Sequence, residues 1–169
     1  MRIFMIGFMG CGKSTIGKMV AKEMNYTFID LDREIEAAEN RSITDIFKED
    51  GEKAFRAIEA QFIIDISQKE KVIIACGGGT PCFGNNMSIM NESGYTIYLE
   101  LKENELFKRL NDGKEKRPLI ANLTVDEVRA YIQRTLTARM PFYLQARTKL
   151  DVNEKDTREI TEDIQRLFL

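Results

Sequence analysis

The residues most able to do chemistry sit near the start of the chain. Gly7-Phe8-Met9-Gly10-Cys11-Gly12-Lys13-Ser14-Thr15 fits G-x-x-x-x-G-K-S/T, the spacing of a phosphate-cradling loop. Glycines let backbone N–H groups approach phosphate oxygens, and a following helix adds the partial positive charge of its N-terminus. Gly10, Cys11, Gly12, Lys13, Ser14 and Thr15 are thus candidates to hold the phosphates of a nucleotide. Lys13 would reach the β- and γ-phosphates and Ser14 would ligate Mg²⁺. Two carboxylates stand two residues apart, Asp30 and Asp32. In phosphoryl transfer one can face the metal's water shell while the other takes the proton of the acceptor hydroxyl. The chain contains no histidine, so any proton acceptor is a carboxylate, Lys, Tyr or Cys, and His-containing zinc sites are excluded.

Other groups have a bland and a chemical reading, and the residues alone leave both open. Arg56 with Glu59 at i+3 is either a surface helix pair or a rigid guanidinium able to grip a carboxylate. Gly77-Gly78-Gly79 is a plain turn or a place where a substrate meets backbone N–H groups. Arg117 lies in the polar run Asp112–Pro118, and Arg139 on a helical stretch; each is by default a solvated charge. Cys11, before a helix and two residues from Lys13, is either a reactive thiolate that nucleotide shields or a small filler turned inward. Cys76, ending an apolar run, is expected to be buried and inert.

These groups need a frame, and the pattern supplies one. Arg2–Ile6 is an apolar run of buried-strand type; Ile16, Met19, Val20 and Met24 recur at helical spacing after the loop. Further strand-like runs are Tyr26–Asp30, Lys71–Cys76, Tyr95–Leu99 and, weakly, Thr148–Val152. Helical stretches fall between them: Arg33–Asn40, Ser42–Asp50, Glu52–Gln68, Met87–Asn91, Glu103–Asn111, Thr124–Gln145 with Pro141 expected to bend or interrupt it, and a last one closing at Leu167. Strands alternating with helices imply an α/β domain, a parallel sheet covered on both faces. Ligands of such sheets bind beyond the carboxyl ends of the strands. The phosphate loop, Asp30-Leu31-Asp32 and the three glycines all fall at such ends.

Composition narrows the function. The 169 residues suffice for one domain with a sizeable core. A net charge of −2 argues against a nucleic-acid-coating protein. No apolar run reaches the roughly 18 residues of a membrane span. The first strand starts at once, leaving no room for a signal peptide, and three cysteines without a C-x-x-C pair suit a reducing cytoplasm.

The residues quoted so far also match a family. With Ile46-Phe47, Gly51-Glu52, Phe55-Arg56-Ala57-Ile58-Glu59, Arg117-Pro118-Leu119 and Arg139-Met140-Pro141-Phe142-Tyr143, the ordered set resembles shikimate kinase along nearly the full length. The resemblance implies a P-loop nucleoside-monophosphate-kinase-like three-layer fold. Its parallel sheet would have five strands in the order 2-3-1-4-5, with a mobile lid over about residues 112–123. It implies transfer of the γ-phosphate of ATP, with Mg²⁺, to the 3-hydroxyl of shikimate on the route to chorismate. By position it makes Asp32 the candidate base, Asp30 a contact of the Mg²⁺ water shell, and Lys13 and Arg117 catalytic. Arg56, Arg139 and Gly77–Gly79 would hold the substrate, with Glu59 orienting Arg56. Phe47, Phe55 and Pro118 would line its pocket, and Arg109 would lie near the adenine. The expected form is a cytoplasmic monomer acting on shikimate and ATP, with no nucleic-acid or membrane partner. A gluconate-kinase-like enzyme would lack the Arg56/Arg139 pair matched to a small carboxylate. A GTPase switch would need an N-K-x-D run, and none occurs.

Overall fold

The computed structural model describes residues 1–168, with Lys116 described by its backbone alone. Five strands form one sheet: β1 (Arg2–Ile6), β2 (Thr27–Asp30), β3 (Val72–Ala75), β4 (Tyr95–Glu100) and β5 (Thr148–Asp151). Their order is β2-β3-β1-β4-β5, and every neighbouring pair is parallel. Parallel strands need long crossovers, and helices supply them. Eight α-helices are described: α1 (Lys13–Met24), α2 (Leu31–Glu39), α3 (Ile43–Glu49), α4 (Gly51–Ile66), α5 (Asn86–Ser93), α6 (Glu103–Asn111), α7 (Val125–Tyr143) and α8 (Thr157–Arg166). Two 3₁₀ turns lie at Thr80–Cys82 and Lys114–Lys116.

The period-two alternation of β1 divides the core. Ile3 and Met5 face a cluster with Ile16 and Val20 of α1, Ile132 of α7 and Ile164 of α8. Phe4 and Ile6 face Leu31 and Ile35 of α2, Phe55 and Ile63 of α4, Met90 of α5 and Tyr143 of α7. All four residues of β3 are buried, as expected of a central parallel strand, while β5 at the edge alternates half-buried and exposed.

Helix boundaries follow local chemistry. The Ser42 hydroxyl accepts from the Asp45 N–H at the start of α3. Thr124 with Glu127 and Asp156 with Glu159 form reciprocal capping boxes at α7 and α8. Gly51 ends the α3 pattern with φ +82°, a left-handed turn into α4.

Two expectations differ. The structure starts α2 at Leu31, so Asp32 lies in its first turn rather than in a loop before Arg33. Pro141 does not interrupt α7, which continues to Tyr143. With only two helical residues beyond it, the missing N–H costs one bond in the last turn, and Leu144 closes the end by donating to the Met140 carbonyl at 3.0 Å.

Candidate active site

The loop after β1 is built from left-handed glycines. Gly10 has φ +81° and Gly12, the N-cap of α1, +103°. A side chain at either would be strained in that region. Lys13 folds back over the loop, its Nζ donating to the carbonyls of Gly7 at 2.8 Å and Phe8 at 2.9 Å. Next to it, the Ser14 hydroxyl donates to Asp30 Oδ2 at 2.8 Å. Asp30 is the N-cap residue of α2, yet its side chain makes no cap bond. The carboxylate serves the phosphate loop instead of the helix.

These groups line a cavity of about 470 Å³, together with Asp32, Gly77, Gly78, Arg109 and Arg117. The loop residues Gly10, Gly12, Lys13, Ser14 and Thr15 are all on its wall. Arg109, from the last turn of α6, reaches the Gly10 carbonyl at 3.4 Å. Arg117 is held by Nη1, which donates to the carbonyls of Leu110, Asp112 and Gly113 at 3.1, 2.9 and 3.2 Å.

A second, smaller cavity of about 170 Å³ adjoins the first, lined by Ile43, Phe47, Phe55, Arg56, Glu59, Gly79, Leu119 and Arg139 among others. Met9, Asp32, Gly77 and Gly78 belong to both walls. Asp32 therefore stands at the seam. Its carboxyl is pushed up to about 6, first by burial, then by the negative charges of Asp30 and Glu59, with Lys13 pulling the other way.

The structure decides between the two readings of Arg56. Glu59 is 1% exposed, and its Oε2 accepts from Arg56 Nη1 at 2.8 Å. The guanidinium centre lies 3.8 Å from the Phe83 ring centroid and 5.0 Å from that of Phe55. Arg56 is a fixed, half-buried cation rather than a surface pair. Arg139 projects from α7 into the same cavity, its guanidinium centre 5.7 Å from the Phe8 ring.

The three glycines after β3 explain how these groups converge. None has positive φ; what they provide is space. A Cβ on Gly77 would come within 2.8 Å of Asp32 Oδ1, one on Gly78 within 2.7 Å of Arg139 Nη1, and one on Gly79 within 2.8 Å of Arg56 Nη2. Each glycine thus makes room for one charged side chain. The Gly78 carbonyl accepts from the Tyr143 hydroxyl at 2.6 Å, which ties the run to the end of α7.

Other expected positions move. Cys11 does not line either cavity: its side chain is 1% exposed and belongs to the core cluster beneath the loop. The side chain turns inward, into the cluster that also holds Leu99 of β4 and Leu110 of α6. Cys76 is buried as expected, and burial drives its thiol strongly upward. Cys82 is the partly accessible thiol. Pro118 is exposed and absent from the second cavity; its neighbour Leu119 faces the pocket instead. Met9, Ile43 and Phe83 carry no local signal of a site role, and Leu119 stands out only as the end of the run Arg117-Pro118-Leu119. Met9 occupies a position that the motif leaves free.

A phosphate loop at the carboxyl end of β1, a carboxylate between two cavities and an arginine pair in the second define the class: a small-molecule kinase of the P-loop type. Comparison with known proteins identifies the member. The family model described as shikimate kinase matches residues 9–168. A shikimate kinase of Parabacteroides distasonis is 42% identical over 163 residues, spanning 96% of this chain and 94% of that one. The crystal structure of shikimate kinase from Bacteroides thetaiotaomicron superposes with a TM-score of 0.94 at 37% identity, covering 99% of this chain and 97% of that one. The Acinetobacter baumannii shikimate kinase in complex with shikimate gives a TM-score of 0.89 at 27% identity, with 99% and 92% covered. The chain belongs to the shikimate kinase family, and its activity is ATP-dependent phosphorylation of shikimate.

Proposed function

We propose that the 470 Å³ cavity takes ATP, that the 170 Å³ cavity takes shikimate, and that Asp32 acts where they meet. The observation that carries this reading is the placement of Asp32 on both walls. Its carboxylate accepts the proton of the 3-hydroxyl as that oxygen bonds to the γ-phosphorus. The bond from phosphorus to the β–γ bridging oxygen breaks, and ADP leaves. A group raised to about 6 is ionised at neutral pH and is still a better base than an ordinary aspartate. The backbone N–H groups of residues 10–15 and Lys13 hold the phosphates; Lys13 exchanges two backbone carbonyls for phosphate oxygens. Arg109 and Arg117 complete the charged wall near the adenine and the phosphates. Arg56 and Arg139 grip the substrate carboxylate, aided by the Gly78 backbone, with Phe47, Phe55 and Leu119 against the ring.

The donor set fits Mg²⁺. Among the described residues no cluster of three or more His, Cys, Asp or Glu side chains forms a metal cage. One hydroxyl and one carboxylate, Ser14 and Asp30, stand together on the wall, and Mg²⁺ is typically held by few protein groups, water and substrate phosphates. Ser14 would ligate it directly and Asp30 through water. When bound it neutralises charge on the phosphate oxygens.

The chain acts as one domain, with residues 112–123 as a lid. Leu119 is 65% exposed although it lines the second cavity, so closure would cover it and exclude water. Among the described residues no helix is long and apolar enough to cross a membrane, and three free thiols suit the cytoplasm. A coupled ADP-release assay tests the reading: ADP forms with shikimate and Mg²⁺ present, and Asp32→Asn abolishes it without loss of ATP binding. ADP release independent of shikimate would overturn it.

A further inference from the structure

The turn that follows the glycines, Thr80–Cys82, carries a residue whose contacts bear directly on substrate recognition. Thr80 is fully buried, and its hydroxyl donates to Glu59 Oε1 at 2.5 Å. The other oxygen of the same carboxylate holds Arg56 at 2.8 Å. Thr80 is itself pinned from two sides: its N–H donates to the Gly77 carbonyl at 3.1 Å, and its own carbonyl accepts from Asn86 Nδ2 at 2.9 Å.

We propose that Thr80 is a positioning residue for substrate binding, acting through Glu59 to fix the guanidinium of Arg56. A carboxylate held by one partner alone can rotate about its last torsion, since that sp³–sp² torsion is broad. Held by a hydroxyl on one oxygen, it presents the other in a single direction. The Phe83 ring lies 3.8 Å from the guanidinium centre, and Gly79 leaves no Cβ in its path, so the same turn bounds Arg56 on further sides. Glu52 also approaches Arg56, at 3.3 Å, but its side chain is 56% exposed and gives a weaker constraint. Thr80 itself lines neither cavity, and its hydroxyl reaches the second one only through Glu59 and Arg56.

This inference rests on the assignment of Arg56 to the substrate carboxylate, and the test separates the two. Thr80→Val keeps the shape and removes the donor; Thr80→Ser keeps the donor and loses only the methyl. Initial rates are measured against shikimate at saturating ATP and against ATP at saturating shikimate, with ADP binding used to count folded sites. Thr80→Val is expected to raise the KM for shikimate about tenfold, the size of one lost buried bond to a charged group, with the KM for ATP unchanged. Thr80→Ser is expected to restore most of it. An unchanged shikimate KM in Thr80→Val overturns the role of Thr80, as does an equal rise in both KM values or a Ser variant as impaired as Val. If Thr80→Val does not fold, Thr80→Ala takes its place: an unchanged shikimate KM there overturns the role of Thr80, and a rise for shikimate alone that Thr80→Ser does not share supports it. An Arg56→Ala protein with normal shikimate KM would overturn the underlying assignment, and this proposal with it.

Discussion

Removing the charge of Asp32 should make the protein inactive and more stable. Its carboxyl is raised from the ordinary 3.8 to about 6, with burial the first cause. That elevation corresponds to about 3 kcal/mol at pH values above both figures. The sign is as follows. The folded state holds the Asp32 proton more tightly than the unfolded chain does. The charge therefore costs nothing below about pH 3.8, an increasing amount up to about 6, and its full amount beyond. Asp32→Asn removes this cost. Among the described residues the aspartate makes no side-chain hydrogen bond for the variant to lose, but it lies in the first turn of α2, where a negative charge is favoured by up to about 1 kcal/mol. The net gain is about 2 kcal/mol, or about 4–8 °C in Tm for a domain of this size. Thermal unfolding of both proteins, without nucleotide, at steps from pH 5 to 8 checks it. The variant should lead at pH 8, and its lead should shrink as pH falls through 6. A variant less stable than its parent at pH 8, or a lead independent of pH, would refute the reasoning. Turnover by the same variant should fall by about 10²–10⁴.

Arg56→Ala and Arg139→Ala should each weaken shikimate binding by about 2–5 kcal/mol and leave ATP binding nearly intact, as calorimetric titration with each ligand would show. Gly79→Ala should fold normally, because its Cβ meets only the end of a side chain, yet displace Arg56 and raise the shikimate KM at least about tenfold. A normal KM there would mean that the close approach is not required. Hydrogen exchange over residues 112–123 should slow when ADP and shikimate are both bound, as Leu119 becomes covered; exchange that slows elsewhere only would argue against a lid.

Much of this protein was legible without coordinates, because much of it is decided within a few residues. The phosphate loop is a local motif whose glycines set their own backbone angles. The alternating strand and helix periods implied a doubly covered parallel sheet, and Ser42 marked the start of α3 by its own hydroxyl. The ordered motifs were specific enough to point to the family. What the sequence left open depends on contacts between distant segments. Whether Arg56 is a loose surface pair or a fixed, half-buried cation depends on Thr80 and Phe83, more than twenty residues away, which a helix pattern cannot register. Asp30 could cap a helix or serve the loop, and only the packing of β1 beside β3, and β3 beside β2, brings Ser14 to it. The three glycines looked like a turn; their reason is the arrival of Asp32, Arg56 and Arg139 from three different helices at one strand end. The inward turn of Cys11 and the exchange of Leu119 for Pro118 have the same origin. A side chain's neighbours along the chain set its backbone conformation, but its direction relative to a cavity is set by everything that closes around it.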